Sequence, residues 1–196
     1  VTGDPLFEDD EVNAPLDAEE REQLIPSYIT FRYELNEAEQ INIGDGMGWA
    51  YSGRRDVLDS DFLSELHRRM FGDVWRWAGQ YRRTPRNIGV DAYRIGMEVR
   101  QAVDDARYWR ENSTYTPDEI AVRFSHRIVA IHPFPNGNGR FSRLIGDILA
   151  EQLGQPPFTW GSVNLVDVED TRAQYVAALR AADGHDYEAL LAFAQS

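Results

Sequence analysis

Residues 132–140 read His-Pro-Phe-Pro-Asn-Gly-Asn-Gly-Arg, and Arg143 follows three residues later. His132 has a reference pKa of about 6.5 and accepts a proton near neutral pH. Gly137 and Gly139 permit backbone angles that other residues avoid, and Asn tolerates them too. A turn of this kind that feeds a helix N-terminus presents free N–H groups, which attract phosphate oxygens. Arg140 and Arg143 add charge that does not titrate and donors in a fork. The grouping suits transfer of a phosphate-containing group from a nucleotide to a hydroxyl. His132 would be the base, the loop amides would stabilise charge on the phosphate, and the arginines would hold the outer phosphates. A lone His after an apolar helix is ordinarily a helix end, and a lone Gly-Asn-Gly is ordinarily a turn. Their combination at this spacing singles the segment out.

Two helices must hold that loop. The one before it has a clear start, with Thr116 as N-cap, Pro117 at the first helical position and Glu119 completing a capping box. Ile120, Phe124, Ile128 and Ile131 make one apolar stripe that delivers His132, and Pro133 halts the helix. The next helix runs from near Asn138 to about Leu153, with Leu144, Ile145, Ile148 and Leu149 inward, and ends at Gly154. Further elements surround this pair. A short helix is expected at about 17–24, ended by Pro26. Helical spacing over 30–43 places Phe31, Leu35, Ala38 and Ile41 on one face, and Gly44, Gly46 and Gly48 are expected to break it. Ser60 can cap a helix carrying Phe62, Leu63, Leu66, Met70 and Phe71, stopped by Gly72. Residues 81–95 suggest a short hairpin, 97–111 a helix, and 169–182 and 186–194 two last helices separated by Gly184. The fold class is all-α with one small β-hairpin.

Composition excludes much. The 196 residues suffice for one substantial core, and no run of 18 or more apolar residues is present. There is no Cys and no Lys, so all 20 basic residues are Arg. Disulfides, thiol nucleophiles, cysteine-ligated metal sites, a Walker-type lysine and a Schiff-base lysine are therefore excluded. A net charge of −13 argues against broad nucleic-acid binding. Residues 1–20 carry eight acids and no base and read as a solvated tail. No basic start leading into an apolar stretch is visible, so a cytoplasmic protein without membrane association is expected.

The central segment resembles the Fic (filamentation induced by cAMP) signature, His-x-Phe-x-Asp/Glu-Gly-Asn-Gly-Arg-x-x-Arg. The match falls at His132, Phe134, Gly137, Asn138, Gly139, Arg140 and Arg143. The likeness extends from Phe71-Gly72 through Trp77-Ala78-Gly79, and from Arg172 to Phe193. The run Leu24-Ile25-Pro26 through Glu39-Gln40 looks like the Fic branch called mobile mystery protein B. The resemblance implies a Fic-type helical bundle and protein adenylyl transfer, in which AMP moves from ATP with Mg²⁺ to a Ser, Thr or Tyr hydroxyl of a protein target. Carried over by position, His132 would deprotonate the target hydroxyl and Phe134 would anchor the loop. Gly137, Asn138 and Gly139 would form the anion hole, and Arg140 and Arg143 would bind the β and γ phosphates. The 81–95 hairpin would be a flap that pairs with the target backbone. Where the family has a metal-binding Asp or Glu, this chain has Asn136, whose carbonyl can ligate a hard cation but supplies no charge.

Many Fic proteins resemble one another in an inhibitory helix, Ser/Thr-x-x-x-Glu-Gly/Asn, whose Glu pairs with the second signature arginine. Thr30 to Glu34 fits its first five positions, so autoinhibition through Glu34 and Arg143 is expected. The organisation is then an acidic segment 1–50, holding the inhibitory helix at about 30–43, and a Fic domain at 51–196. Two alternatives stand beside adenylyl transfer. One keeps the pocket with another nucleotide, phosphoryl transfer or removal of AMP. The other is a weak nucleotide-binding or toxin–antitoxin module with an antitoxin-like partner. Among other residues, His67 and His185 read as surface histidines, His126 as packing, the tryptophans as core or interface aromatics, and Arg82, Arg83 and Arg86 as a solvated hairpin.

Overall fold

The computed structural model describes residues 18–162 and 168–196, so most of the acidic tail lies outside the described residues. The helices in chain order are α1 (Ala18–Gln23), α2 (Arg32–Tyr51), α3 (Ser60–Phe71), α4 (Ile95–Asn112), α5 (Pro117–Ile131), α6 (Asn138–Gln152), α7 (Val168–Asp183) and α8 (Glu188–Ala194). A 3-10 turn, Ala92–Arg94, leads into α4. No described helix is long and apolar enough to cross a membrane.

The centre of the molecule is the α5–α6 pair. Helix α5 buries Ile120, Phe124, Ile128 and Ile131, as its apolar stripe requires, and also Ala121, Val122, Ser125 and His126. A helix buried on so many sides is a core helix rather than a surface one. Thr116 caps it by accepting from the Glu119 N–H at 3.4 Å. The Glu119 carboxylate does not complete the expected box; it turns along the helix to Arg123 at 2.7 Å. Ser125 Oγ donates to the Ser142 carbonyl at 2.8 Å and pins α5 to α6. These two helices share the main core with α2, α3 and α4, while α7 and α8 close a second apolar cluster around Val122, Trp160, Tyr175 and Phe193.

Three expectations are corrected here. First, α2 runs unbroken through Gly44, Gly46 and Gly48 to Tyr51. Gly46 is a contact and not a stop: a Cβ there would lie 2.8 Å from the Met70 backbone nitrogen. The missing side chain lets α2 and α3 approach closely. Second, α3 is capped by Asp59, one residue earlier than expected, which accepts from the Asp61 and Phe62 N–H groups. Third, residues 81–91 form no hairpin. Their donors go to the end of α5: Arg82 N–H donates to the Pro133 carbonyl at 2.9 Å, and Val90 N–H to the Ile131 carbonyl at 3.2 Å. A segment whose N–H groups serve a neighbouring helix end has few left for cross-strand pairing.

Candidate active site

The loop leaves α5 at His132, which has φ 54° and ψ 61°. Left-handed backbone is costly for a residue other than Gly, so the surroundings must hold it. Behind the loop, Phe134 is 1% exposed. Its ring stacks on His67 at 3.6 Å between centroids and meets Phe141 edge-on at 5.3 Å. Asn138 locks the same residue: its Oδ1 accepts from the Phe134 N–H at 3.0 Å and its Nδ2 donates to the Phe134 carbonyl at 2.9 Å. The side chain of Asn138 is therefore spent on loop shape. What Asn138 and Gly139 can offer an anion is their backbone N–H groups.

Gly137 stands just before α6 with φ 77°. A Cβ at this position would come within 2.5 Å of the Phe71 ring, so both conformation and space demand glycine. Helix α6 begins with no side-chain cap. The first N–H groups of an uncapped 15-residue helix have no intrahelical partner and form a ready anion site.

His67 was expected at the surface and is fully buried beneath the loop. Its Nδ1 accepts from the Gly79 N–H at 3.0 Å, which leaves Nε2 to donate to the Asn136 carbonyl at 3.1 Å. Burial pushes its pKa down to about 3, so the ring stays neutral and keeps this tautomer. The signal in the sequence was its place on the apolar stripe of α3, between Leu66 and Met70. Replacing His67 with Phe keeps the ring but orphans a buried donor and acceptor. We expect a loss of about 1–3 kcal/mol, read as a lower Tm in thermal unfolding.

The signature arginines part. Arg140 reaches back to α2, where its Nη1 lies 2.6 Å from Glu39 Oε2. The other oxygen of Glu39 accepts from Trp75 Nε1 at 2.5 Å. Arg143 is 7% exposed and lies over the Tyr175 ring at 5.6 Å. Burial lowers its pKa, against the pull of Tyr175 and Asp147. Burial in turn raises Asp147 to about 6. The contact expected between Glu34 and Arg143 is replaced. Glu34 Oε2 accepts from the Thr30 N–H at 2.7 Å, the Thr30 hydroxyl at 3.2 Å and the Phe31 N–H at 3.0 Å. These donors hold the Glu34 carboxyl below its usual range and fix the start of α2. Sequence reasoning missed Glu39 because it lies on a mixed inner face, Leu35-Glu39-Asn42-Gly46-Ala50, that apolar periodicity does not mark.

His132 is half-buried. Desolvation first, then the positive charge of Arg82 and Arg86, pushes its pKa down to about 4. At neutral pH it is an unprotonated base. Asn136 is exposed, and its Oδ1 accepts from the neighbouring Gly137 N–H at 2.7 Å. Beside it opens a cavity of about 740 Å³ lined by Trp75, Trp77, Tyr81, Arg82, Arg83 and Arg86 among others, with no carboxylate in its wall. In a chain with a net charge of −13, the Arg83 and Arg86 side of that wall is suited to an anionic ligand, whereas the guanidinium of Arg82 is occupied by backbone carbonyls. His126 and His185 lie elsewhere: His126 joins Asp183 at 2.9 Å and Tyr187 at 3.2 Å, and His185 sits in the turn before α8.

The model of the Fic/DOC family matches residues 57–150, which include the whole loop and both arginines. The chain carries a Fic domain. It is 32% identical over 136 residues to the protein adenylyltransferase fic-1 of Caenorhabditis elegans, covering 67% of this chain and 25% of that one. It is 29% identical over 142 residues to the protein adenylyltransferase Fic of Drosophila grimshawi, covering 70% and 28%. The chain thus spans about a quarter of the length of these curated relatives. Among solved structures it is similar to residues 134–508 of Fic-1 from C. elegans, with a TM-score of 0.64 at 25% identity over 82% of this chain and 47% of the other. The all-α Fic bundle is therefore the architecture that presents the 132–143 segment.

Proposed function

We propose that this Fic domain is a protein adenylyltransferase. The hydroxyl oxygen of a Ser, Thr or Tyr on a protein target attacks the α-phosphorus of ATP. The α–β phosphoanhydride bond breaks and pyrophosphate leaves. His132 accepts the hydroxyl proton. The N–H groups of Asn138 and Gly139 at the start of α6 hold the anionic phosphate, joined by that of Gly137 once it leaves Asn136 Oδ1, with Arg140 for the outer phosphates. Arg143 would join Arg140 there after leaving Tyr175. The observation that carries this reading is a neutral, half-buried imidazole at the lip of an uncapped helix start. The relatives named as adenylyltransferases support it, although each is far longer than this chain. Incubation with ATP labelled at the α or the γ phosphate tests it: adenylyl transfer puts only the α label on protein, whereas label from the γ position would mean phosphoryl transfer.

Among the described residues no group of three His, Asp or Glu side chains could hold a metal. The loop offers one neutral carbonyl, Asn136 Oδ1, which already accepts from Gly137. That does not make a metal site by itself, and no step above depends on one. We propose that Mg²⁺ arrives on the triphosphate and that Asn136 adds at most a weak ligand. Replacing Asn136 with Asp restores a carboxylate, so half-maximal Mg²⁺ for nucleotide-dependent transfer should fall severalfold in a magnesium titration. An unchanged midpoint would count against the role of this position. The same uncharged residue favours the second reading, a nucleotide-binding module of weak turnover, which would bind ATP and label nothing.

We further propose that residues up to about 50 regulate the domain that follows. Glu39, rather than Glu34, is the regulatory carboxylate of this reading, because it occupies the arginine that the phosphates need.

A further inference from the structure

The end of α5 presents three consecutive carbonyls at Ile131, His132 and Pro133, and Arg82 and Val90 between them donate to each. Arg82 dominates. It is 3% exposed. Its Nε donates to the His132 carbonyl at 2.7 Å, its Nη1 to Thr84 at 3.1 Å, and its Nη2 to Val90 and, at 3.4 Å, to Ile131. Its own N–H donates to Pro133 at 2.9 Å. A planar fork with five donors is the side chain that can bind so many carbonyls at once. Gly89 lets the belt close: it has φ 93°, and a Cβ there would lie 2.6 Å from His132 Cβ and 2.7 Å from Arg82 Nη2. Sequence reasoning placed Arg82 on a solvated hairpin; the structure puts it in a socket behind the imidazole.

We propose that Arg82 is the positioning residue of His132, holding its strained backbone and its ring at the angle from which it takes the proton. The inference rests on the adenylyl-transfer reading for its rate effect, but the geometry it explains does not. The His132 N–H still donates to the Ile128 carbonyl at 3.2 Å, but the His132 carbonyl lies past the end of the helix and needs a donor from outside it. The guanidinium binds the His132 and Ile131 carbonyls and the Arg82 N–H binds that of Pro133, so the backbone that carries the imidazole cannot shift without breaking several hydrogen bonds, two of them charge-assisted. The same cation disfavours a second positive charge beside it. The groups that bear on the imidazole are Arg82, Arg86 and the Val129 backbone, with Asp91 partly offsetting the charge of Arg82.

Two measurements on the full chain test this, with Arg82→Gln and Arg82→Lys. NMR titration of the His132 ring needs no turnover. In Arg82→Gln we expect its midpoint to rise from about 4 toward 6.5. In Arg82→Lys, which keeps the charge and loses the fork, the midpoint should stay low. Transfer of α-labelled AMP should show kcat reduced at least about tenfold in both variants at pH 7.5, with KM for ATP within about twofold of the parent. Should Arg82→Gln fail to fold, Arg82→Lys alone decides through kcat. A folded variant with the parent's kcat, or one in which only KM changes, overturns the proposal. If the parent transfers no AMP, the functional reading falls, and the NMR midpoint of Arg82→Gln still decides whether Arg82 governs His132: an unmoved midpoint overturns it.

Discussion

The His132→Ala protein should transfer AMP about 10²–10⁴-fold more slowly than the parent. The imidazole is the half-exposed base at the loop, held neutral by desolvation and by Arg82 and Arg86. Removing it leaves the attacking hydroxyl without a proton acceptor, while the α6 N-terminus and Arg140 still bind the phosphates. The loss should therefore fall on kcat and leave ATP binding nearly intact, as read by the rise in Tm on adding nucleotide. The pH dependence carries a second signature. A base depressed to about 4 is deprotonated throughout the neutral range. The rate should stay flat as pH falls from 7 to about 5 and reach half its plateau near pH 4. An unperturbed histidine would place the acid limb near its reference value of about 6.5. Initial rates with α-labelled ATP across this range distinguish the two.

The Glu39→Gln protein should be faster than the parent, by about 10–100-fold at limiting ATP. In the resting structure Arg140 is committed to Glu39, and a phosphate must displace that carboxylate. A charge-assisted hydrogen bond contributes about 1.5–3 kcal/mol, and each 1.4 kcal/mol is tenfold. Glutamine still accepts from Trp75 Nε1, so the α2 contact survives while the competing charge is removed. The cost is a cation left beside a neutral amide. It should remain below the 3–5 kcal/mol of a fully buried broken pair, because Arg140 keeps 16% of its side-chain exposure. Rates and Tm measured together separate release from damage: higher kcat/KM with a modestly lower Tm is the expected pattern. Glu34→Gly should behave differently. It removes the acceptor for Thr30 and Phe31, so it should lower Tm and leave the rate near the parent's. Activation by Glu34→Gly and none by Glu39→Gln would restore the pairing first expected from sequence.

Much of the frame was legible in the residues. Capping by Thr116, the apolar stripe of α5 and the stop at Pro133 follow from local chemistry, and they place His132 at a helix end. The glycine demand at position 137 was legible for the same reason, since a turn into a helix needs left-handed backbone. What was hidden depended on partners far along the chain. Gly46 reads as a breaker until Met70 is seen against it, because a close helix crossing and a helix end use the same residue. His67, Glu39 and Arg82 are polar residues on inner faces, and a pattern of apolar spacing assigns such residues to solvent. Burial becomes affordable for them only through tertiary hydrogen bonds, to Gly79 and Asn136, to Trp75, and to the carbonyls at the end of α5. The bonds that Glu34 makes were hidden for a related reason. Thr30 and Glu34 share a helix face by spacing, and the structure spends that proximity on capping the helix they begin.

Intact mass after incubation with ATP and Mg²⁺ tests the central claim most directly, using Glu39→Gln with and without His132→Ala in the same chain. The account predicts addition of AMP to the first protein, with the label from the α phosphate, and none to the second. No addition to Glu39→Gln, or equal addition to both, would contradict it.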